Sequence, residues 1–384
     1  MSSGNHLHES EMKALSERAN TLFGQARYDE ALVCLLALEK MLPDNPQLLS
    51  NLGVVYRDSG DLGRAELYFR RLCQERPDDA AAHFNLAVTL LRAGRLREGF
   101  REYEWRWQVA QFAAQRREFR QPLWRGEPLE GRRILLWGEQ GAGDGIQFAR
   151  YAPLVRKAGG EVTLEVLPHL ERLAAWMDGE YPVVNALTTG VEFDVHCPLM
   201  SLPDRFATEL DSIPPPARFV IPDGLRAKWA GRLRTGRRAV GLVWATNPSY
   251  LNNAARSVPA GYFPPITRLP EIQWWGLQVG PAAAEAPERV VNLGDELIDF
   301  AETAAAISAL DLVITVDTAV AHLAGSLGKP VWLLLMYAPD WRWMLSREDS
   351  SWYPTMRLFR QKTPGDWGEV MARVAAIVSE LNIL

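Results

Sequence analysis

A chain of 384 residues, 47% hydrophobic and 23% charged, has the length for two or three domains with sizeable cores and the balance of an ordinary globular protein. Its net charge of -5 argues against a nucleic-acid partner, and its three cysteines, Cys34, Cys73 and Cys197, lack both the spacing of a metal site and the number for a disulfide framework. The polar N-terminus (His6, His8, Glu9, Glu11) has no apolar stretch of a signal peptide and no run reaches the length of a membrane span, so a cytoplasmic location is expected.

Residues 10–122 carry an internal repeat. Pro43 and Pro77, Gly60 and Gly94, Asn51 and Asn85, and Leu62 and Leu96 are each 34 residues apart. That period indicates stacked helix pairs, here over Met12 to Asn45, Pro46 to Asp79 and Ala80 to Ala113, the third ending irregularly in Tyr103-Glu104-Trp105-Arg106-Trp107. Leu52, Gly53, Tyr56, Ala65, Phe69 and Pro77 of the middle copy resemble the tetratricopeptide repeat. That family's geometry places Asn20, Phe23, Asn51, Val54, Arg57, Phe84, Asn85, Val88 and Arg92 on the concave face. Asn51 and Asn85 are similar to rungs of the asparagine ladder that holds an extended peptide in eukaryotic O-GlcNAc transferases; otherwise they are solvated helix residues, and the repeats cap or dimerise.

After a Pro- and Gly-rich linker from Phe119 to Arg133, Ile134 to Trp137 reads as a strand running into GEQGAGDG and a helix expected to begin near Ile146. The spacing is neither the dinucleotide-binding G-x-G-x-x-G nor a P-loop. Asp144 in this loop is either an N-cap or a group facing an uncharged, hydroxyl-bearing ligand. Strands are expected at Val162 to Leu167, Tyr181 to Val184 and Phe193 to Cys197, with a helix near Leu170 to Met177. Beyond a boundary at Pro214, Pro215, Pro216 and Pro222, a helix near Leu225 to Leu233 leads to strands at Ala239 to Trp244, Gln273 to Leu277 and Val290 to Asn292, and a helix from Asp299 to Ala309. Leu312 to Val316 and Val331 to Leu335 are continuous apolar runs of the kind a parallel sheet buries on both faces. Between them Asp317, Thr318 and Ala319 open a helix that Gly328 and Pro330 end. A strand end facing a helix N-terminus favours anions and sugars, although Asp317 is alternatively only an N-cap. The last helix, Trp367 to Leu381, has one apolar face.

Gly141-Ala142-Gly143-Asp144 together with Asp317-Thr318-Ala319-Val320-Ala321-His322-Leu323-Ala324 resembles the heptosyltransferase-type GT-B glycosyltransferases. Joined to the repeats, and with NPSYLNNAARSVP, DFAETAAAI, DWRWM and WYPTMRLFRQ in order, the chain resembles bacterial tetratricopeptide-repeat glycosyltransferases, some of which modify flagellins or other proteins. The resemblance implies an α plus α/β fold: N-terminal helical repeats, then two Rossmann-like halves of GT-B type, 131–222 on the acceptor side and 223–384 on the nucleotide-sugar side. It implies Asp144 as general base, and a donor site of Gly141, Gly143, Asn247, Arg256, Ser257, Gln278, Asp317, Thr318, Ala319 and His322. Arg256 and Ser257 would face the diphosphate, Asp317 the sugar hydroxyls, and the Thr318 and Ala319 amides the phosphate. Acceptor contacts fall to Asn20, Asn51, Arg57, Asn85 and Arg92 of the repeats. Relatives commonly read G-N-P-x-H-x-N-D-R before the arginine, where this chain has Thr246, Tyr250, Asn253 and Ala254. The expected activity is inverting transfer without metal or cofactor, from a nucleotide sugar to a protein or peptide hydroxyl, in a possible homo-oligomer. A saccharide or lipopolysaccharide acceptor and a degenerate binding scaffold are the alternatives.

Overall fold

The computed structural model describes residues 2–188, 190–249 and 252–380; Tyr250 and Leu381 lie outside them. It divides into two compact units. The first comprises Met1–Arg116, Thr208–Leu210 and Ala338–Ser346, the second Arg117–Ala207, Asp211–Tyr337 and Arg347–Leu384.

The first unit is built of antiparallel helix pairs: α1 (Ser2–Gly24) with α2 (Tyr28–Met41), α3 (Pro46–Ser59) with α4 (Leu62–Glu75), and α5 (Ala80–Arg92) with α6 (Leu96–Tyr103). Each boundary follows from local chemistry. Asn45, Asp61 and Asp79 accept the backbone amides of Leu48, Arg64 and Ala82 at 3.0, 3.0 and 3.1 Å, and so cap α3, α4 and α5. Gly60 and Gly94 follow α3 and α5 at φ +99° and +80°, the left-handed conformation that side chains disfavour. Small residues let the paired helices touch: Ala31 and Ala65 are fully buried, and a Cβ on Gly53 would lie 2.7 Å from the Phe69 ring.

The third pair ends in a 3-10 turn, Glu104–Gln108, and the short α7 (Ala110–Ala113). Arg106 lies inside this irregular turn. Its guanidinium is buried between the Tyr103 and Trp107 rings, 5.2 and 4.4 Å from their centroids, and pairs with Glu104 at 2.5 Å. The segment Ala338–Ser346, read from sequence with the C-terminal half, clusters instead with the repeats, where Trp341 meets Phe100 edge-on at 5.5 Å.

The second unit contains two parallel sheets. The first has β1 (Arg133–Trp137), α8 (Ala142–Phe148), α9 (Ala152–Lys157), β2 (Glu161–Val166), α10 (Glu171–Ala174), β3 (Val183–Asn185), β4 (Val195–Pro198) and α11 (Leu202–Arg205), with strand order β3-β2-β1-β4. The second has α12 (Asp223–Leu233), β5 (Arg238–Val243), α13 (Asn253–Arg256), α14 (Pro264–Thr267), β6 (Ile272–Gly276), β7 (Val290–Asn292), α15 (Phe300–Ser308), β8 (Leu312–Val316), α16 (Ala319–Ser326), β9 (Val331–Leu335), β10 (Met356–Arg360) and α17 (Trp367–Glu380). Its strand order is β10-β9-β8-β5-β6-β7. The architecture is therefore helical repeats followed by two Rossmann-like halves, the arrangement expected of a GT-B fold. Every residue of β8 and β9 is buried, as their unbroken apolar runs require.

Several elements differ from the sequence reading: the helix read over Leu170 to Met177 is a 3-10 turn at Pro168–Leu170 and a helix that ends at Ala174, and the strand read over Tyr181 to Val184 is Val183–Asn185. The helix after the glycine loop begins at Ala142, four residues before Ile146, because Gly141 takes the N-cap position and Asp144 Oδ2 accepts the Gly141 amide at 2.9 Å. Glycine propensity argued for a loop here, and capping together with packing overrides it. The sheet also continues past β9 to β10, whose Met-Arg-Leu-Phe-Arg pattern leaves Arg357 exposed on an edge strand.

Candidate active site

β5 and β8 are neighbours, with Val243 in register with Thr315, and the sheet grows from them in opposite directions. At such a switch point the loops leaving the two strands diverge and leave room for a ligand beyond the strand ends. Here those loops are residues 244–257 and the Asp317-Thr318 turn.

Thr318, not Asp317, occupies the N-cap position of α16, with extended backbone and no capping bond from its own side chain. The Ala321 amide is committed to the Thr318 carbonyl at 3.0 Å, so the earlier amides, Ala319 among them, carry the helix's positive end. Asp317 is 9% exposed, and its carboxylate pairs with Arg256, Nη2 to Oδ2 at 3.0 Å; the same nitrogen donates to the Asp317 carbonyl at 2.7 Å. The guanidinium assigned to a diphosphate is thus anchored on the carboxylate assigned to the sugar.

Arg256 ends α13 inside a loop closed by hydrogen bonds. The Val258 amide donates to the Trp244 carbonyl at 2.8 Å and the Thr246 amide to Ser257 Oγ at 3.1 Å. Asn253 Oδ1 accepts from both Thr246 Oγ1 at 2.8 Å and Ser257 Oγ at 3.0 Å. Gln278 Oε1 accepts the amides of Trp244 and Ala245 at 3.2 and 2.9 Å, and Asn247 Oδ1 accepts from Ser249 Oγ at 2.9 Å. Asn247, Ser257 and Gln278 therefore shape the loop. Thr246 and Asn253 are its cross-braces.

The opposite half reaches this site through α8, which packs on α16. A Cβ on Gly143 would lie 2.9 Å from His322 Cδ2 and 3.5 Å from Ala319 Cα. Asp144, the next residue, is thereby carried beside the start of α16. His322 is buried at the contact of the two halves, with Nδ1 3.0 Å from the Tyr353 hydroxyl. A second contact joins Arg172 of α10 to Asp299, the N-cap of α15, at 2.7 Å, with His169 5.5 Å from the Phe300 ring.

On the β1–β4 sheet, Trp137 Nε1 donates to His196 Nδ1 at 3.1 Å, and the Phe119 ring lies 4.4 Å from the imidazole. Burial, reinforced by the nearby Arg117 charge, pushes His196 down to about 4.

In the repeat unit Asn20 is exposed, and Asn51 Oδ1 accepts from Gln47 at 3.0 Å. Asn85 accepts from Arg57 at 2.9 Å and donates to the Ala81 carbonyl at 3.0 Å. Phe84 packs against Tyr103 and Phe112. Arg92 departs from the expectation of a groove-facing charge: it is buried, and pairs with Asp58 at 3.1 Å. Burial works against the Asp58 charge, but Arg57 and Arg92 outweigh it and hold the carboxyl below its usual range; burial pushes Arg92 down. The resemblance to the repeat family set Arg92 on the inner face, and the acid that claims it lies 34 residues away.

Among the described residues, no group of three His, Cys, Asp or Glu side chains is placed to hold a metal ion, and no helix is long and apolar enough to cross a membrane. Sequence reasoning passed over the roles of Tyr353, Arg172 and Asp299. Only the motif context WYPTMRLFRQ and the acid opening DFAETAAAI pointed near them.

Comparison with known proteins matches residues 16–80 to the tetratricopeptide repeat and residues 280–340 to glycosyltransferase family 9 (heptosyltransferase). The chain is 30% identical over 336 residues to Protein FlbA of Caulobacter vibrioides, covering 79% of this chain and 56% of that protein; it thus spans little more than half that relative's length. Among solved structures, the E. coli ADP-heptose lps heptosyltransferase II aligns with 65% of this chain and 99% of its own, at 12% identity and a TM-score of 0.47. An O-GlcNAc transferase of Thermobaculum terrenum aligns with 97% of this chain and 93% of its own, at 14% identity and a TM-score of 0.29. The chain thus carries a stretch that matches the tetratricopeptide repeat ahead of one that matches glycosyltransferase family 9.

Proposed function

We propose that the protein is an inverting, metal-independent glycosyltransferase that moves a sugar from a nucleotide-sugar donor to an acceptor hydroxyl, on a protein or peptide recruited by the repeats. The observation that carries this reading is the start of α16. The N-terminus of α16, at the switch point of a parallel sheet and flanked by the Arg256–Asp317 pair, packs against the Asp144-bearing helix of the other half. The α16 amides and Arg256 suit a diphosphate, whose negative charge grows as the bond from the sugar's anomeric carbon to the phosphate oxygen breaks. In this reading Asp144 takes the proton of the acceptor hydroxyl as that oxygen bonds to the same carbon from the opposite side; the packing of its helix on α16 supports the assignment.

The test is a thermal-shift panel with uridine, guanosine, adenosine and cytidine diphosphates and their sugars, because a ligand bound only by the folded protein raises the melting midpoint. One of the four should shift the wild type, and Asp317→Ala should lose the shift while melting near the wild-type temperature without ligand. No shift with any of them would favour a binding scaffold, a reading kept alive by the changed loop at 246–254. Transfer to a saccharide with none to protein would move the acceptor to the lipopolysaccharide class.

A further inference from the structure

Among the described residues of the loop after β5, Arg256 is the charged side chain. The loop has a defined internal scaffold. Its base is the Val258–Trp244 backbone bond, its middle rung joins the Thr246 amide to Ser257 Oγ, and its upper rung is Asn253, whose single carboxamide oxygen gathers both hydroxyls. Asn253 is half-buried, Thr246 is 4% exposed, and the Ser257 amide donates back to the Asn253 carbonyl at 3.0 Å. Arg256 lies between Asn253 and Ser257 on this one turn. Its long side chain reaches both the carboxylate and the carbonyl of Asp317, a residue 61 positions away at the carboxyl end of the neighbouring strand. A flexible arginine loses less entropy on binding an anion if its backbone turn is already fixed.

We infer that Asn253 is a positioning residue: by bonding Thr246 and Ser257 together it fixes the α13 turn, so that Arg256 stays on Asp317 beside the start of α16. This rests on the nucleotide-sugar reading above and adds to it the device that steadies its arginine. Asn253 acts through Arg256 and itself touches no ligand.

The experiment measures calorimetric affinity of the full chain for whichever of the four nucleoside diphosphates binds, and for the matching nucleoside without phosphate. Asn253→Leu, close in shape but without the acceptor oxygen, should weaken the diphosphate about tenfold or more and leave the nucleoside within twofold. Thr246→Val, which removes one of the two donated hydroxyls, should shift affinity the same way by a smaller factor. In an Arg256→Ala background Asn253→Leu should cause no further loss. Unchanged diphosphate affinity in Asn253→Leu overturns the positioning role and leaves the donor reading standing, as does a full additional loss in the Arg256→Ala background. Equal loss for diphosphate and nucleoside overturns it as well, since a loosened fold affects both. Should Asn253→Leu not fold, Thr246→Val decides by the same ratio. If the wild type binds none of the four, the donor reading falls and the positioning role with it.

Discussion

Replacing Gly143 with alanine tests the contact on which the site's geometry depends. In an open helix the change stabilises by about 0.5–1 kcal/mol, because alanine loses less backbone freedom on folding. Here the new methyl would sit 2.9 Å from His322 Cδ2, nearer than carbon atoms approach, and 3.5 Å from Ala319 Cα. The distance to Ala319 is an ordinary contact, so the obstruction is the imidazole, which does not yield cheaply because the Tyr353 hydroxyl holds it at 3.0 Å, a bond worth about 1 kcal/mol to break. Overpacking of this kind costs about 1–3 kcal/mol, so after the propensity gain Gly143→Ala should be destabilising by about 1–2 kcal/mol. Urea denaturation of the full chain reads the change as a shift in midpoint. The sign is the sharper test. In a His322→Ala background the obstruction is gone, and the same substitution should stabilise by about 0.5 kcal/mol. Stabilisation by Gly143→Ala in the wild-type background would show that α8 and α16 do not meet as described.

Three further outcomes are expected. Asp144→Asn keeps an oxygen to accept the Gly141 amide, so stability should hold within about 0.5 kcal/mol, whereas transfer should fall about 10² to 10⁴-fold at nearly unchanged donor affinity; full activity would remove Asp144 from the chemistry. His196 is neutral in the fold down to about pH 4, while the unfolded imidazole takes a proton below about pH 6.5, so the unfolded state binds more protons in between and stability falls as pH drops through that window, by about 3 kcal/mol in all. His196→Gln should flatten that slope in denaturation series run from pH 7 to pH 4, and an unchanged slope would refute the assignment. Arg92→Ala leaves Asp58 with Arg57 alone in a largely buried place and should cost about 3 kcal/mol in chemical denaturation, with a much smaller cost in an Asp58→Asn background.

What the sequence disclosed was whatever repeats or whatever the hydrophobic effect writes locally. The 34-residue spacing of Gly60 and Gly94 exposes the helix pairs because each copy needs the same left-handed turn after its first helix. β8 and β9 are legible because strands buried on both faces must be apolar throughout. β10 was missed because an edge strand tolerates Arg357 on its open side, which breaks the run. The true start of α8 was hidden by its glycines, since the reason for Gly143 is a histidine 179 positions later. Partnerships of side chains were the least legible. Nothing near Asp317 says that its partner is Arg256, and nothing near Arg92 announces Asp58, because ion pairs of this kind are fixed by tertiary packing.

The composition of the repeat unit bears on how the chain matures. Its helices are contributed by the first 116 residues, but Trp341, which covers Phe100, belongs to a stretch that ends at Ser346. A ribosome adding about 5–20 residues per second needs roughly ten to fifty seconds to travel from one to the other. Throughout that interval the nascent repeats exist without their last aromatic cover, and a truncated gene product ending before Ala338 would keep them so permanently.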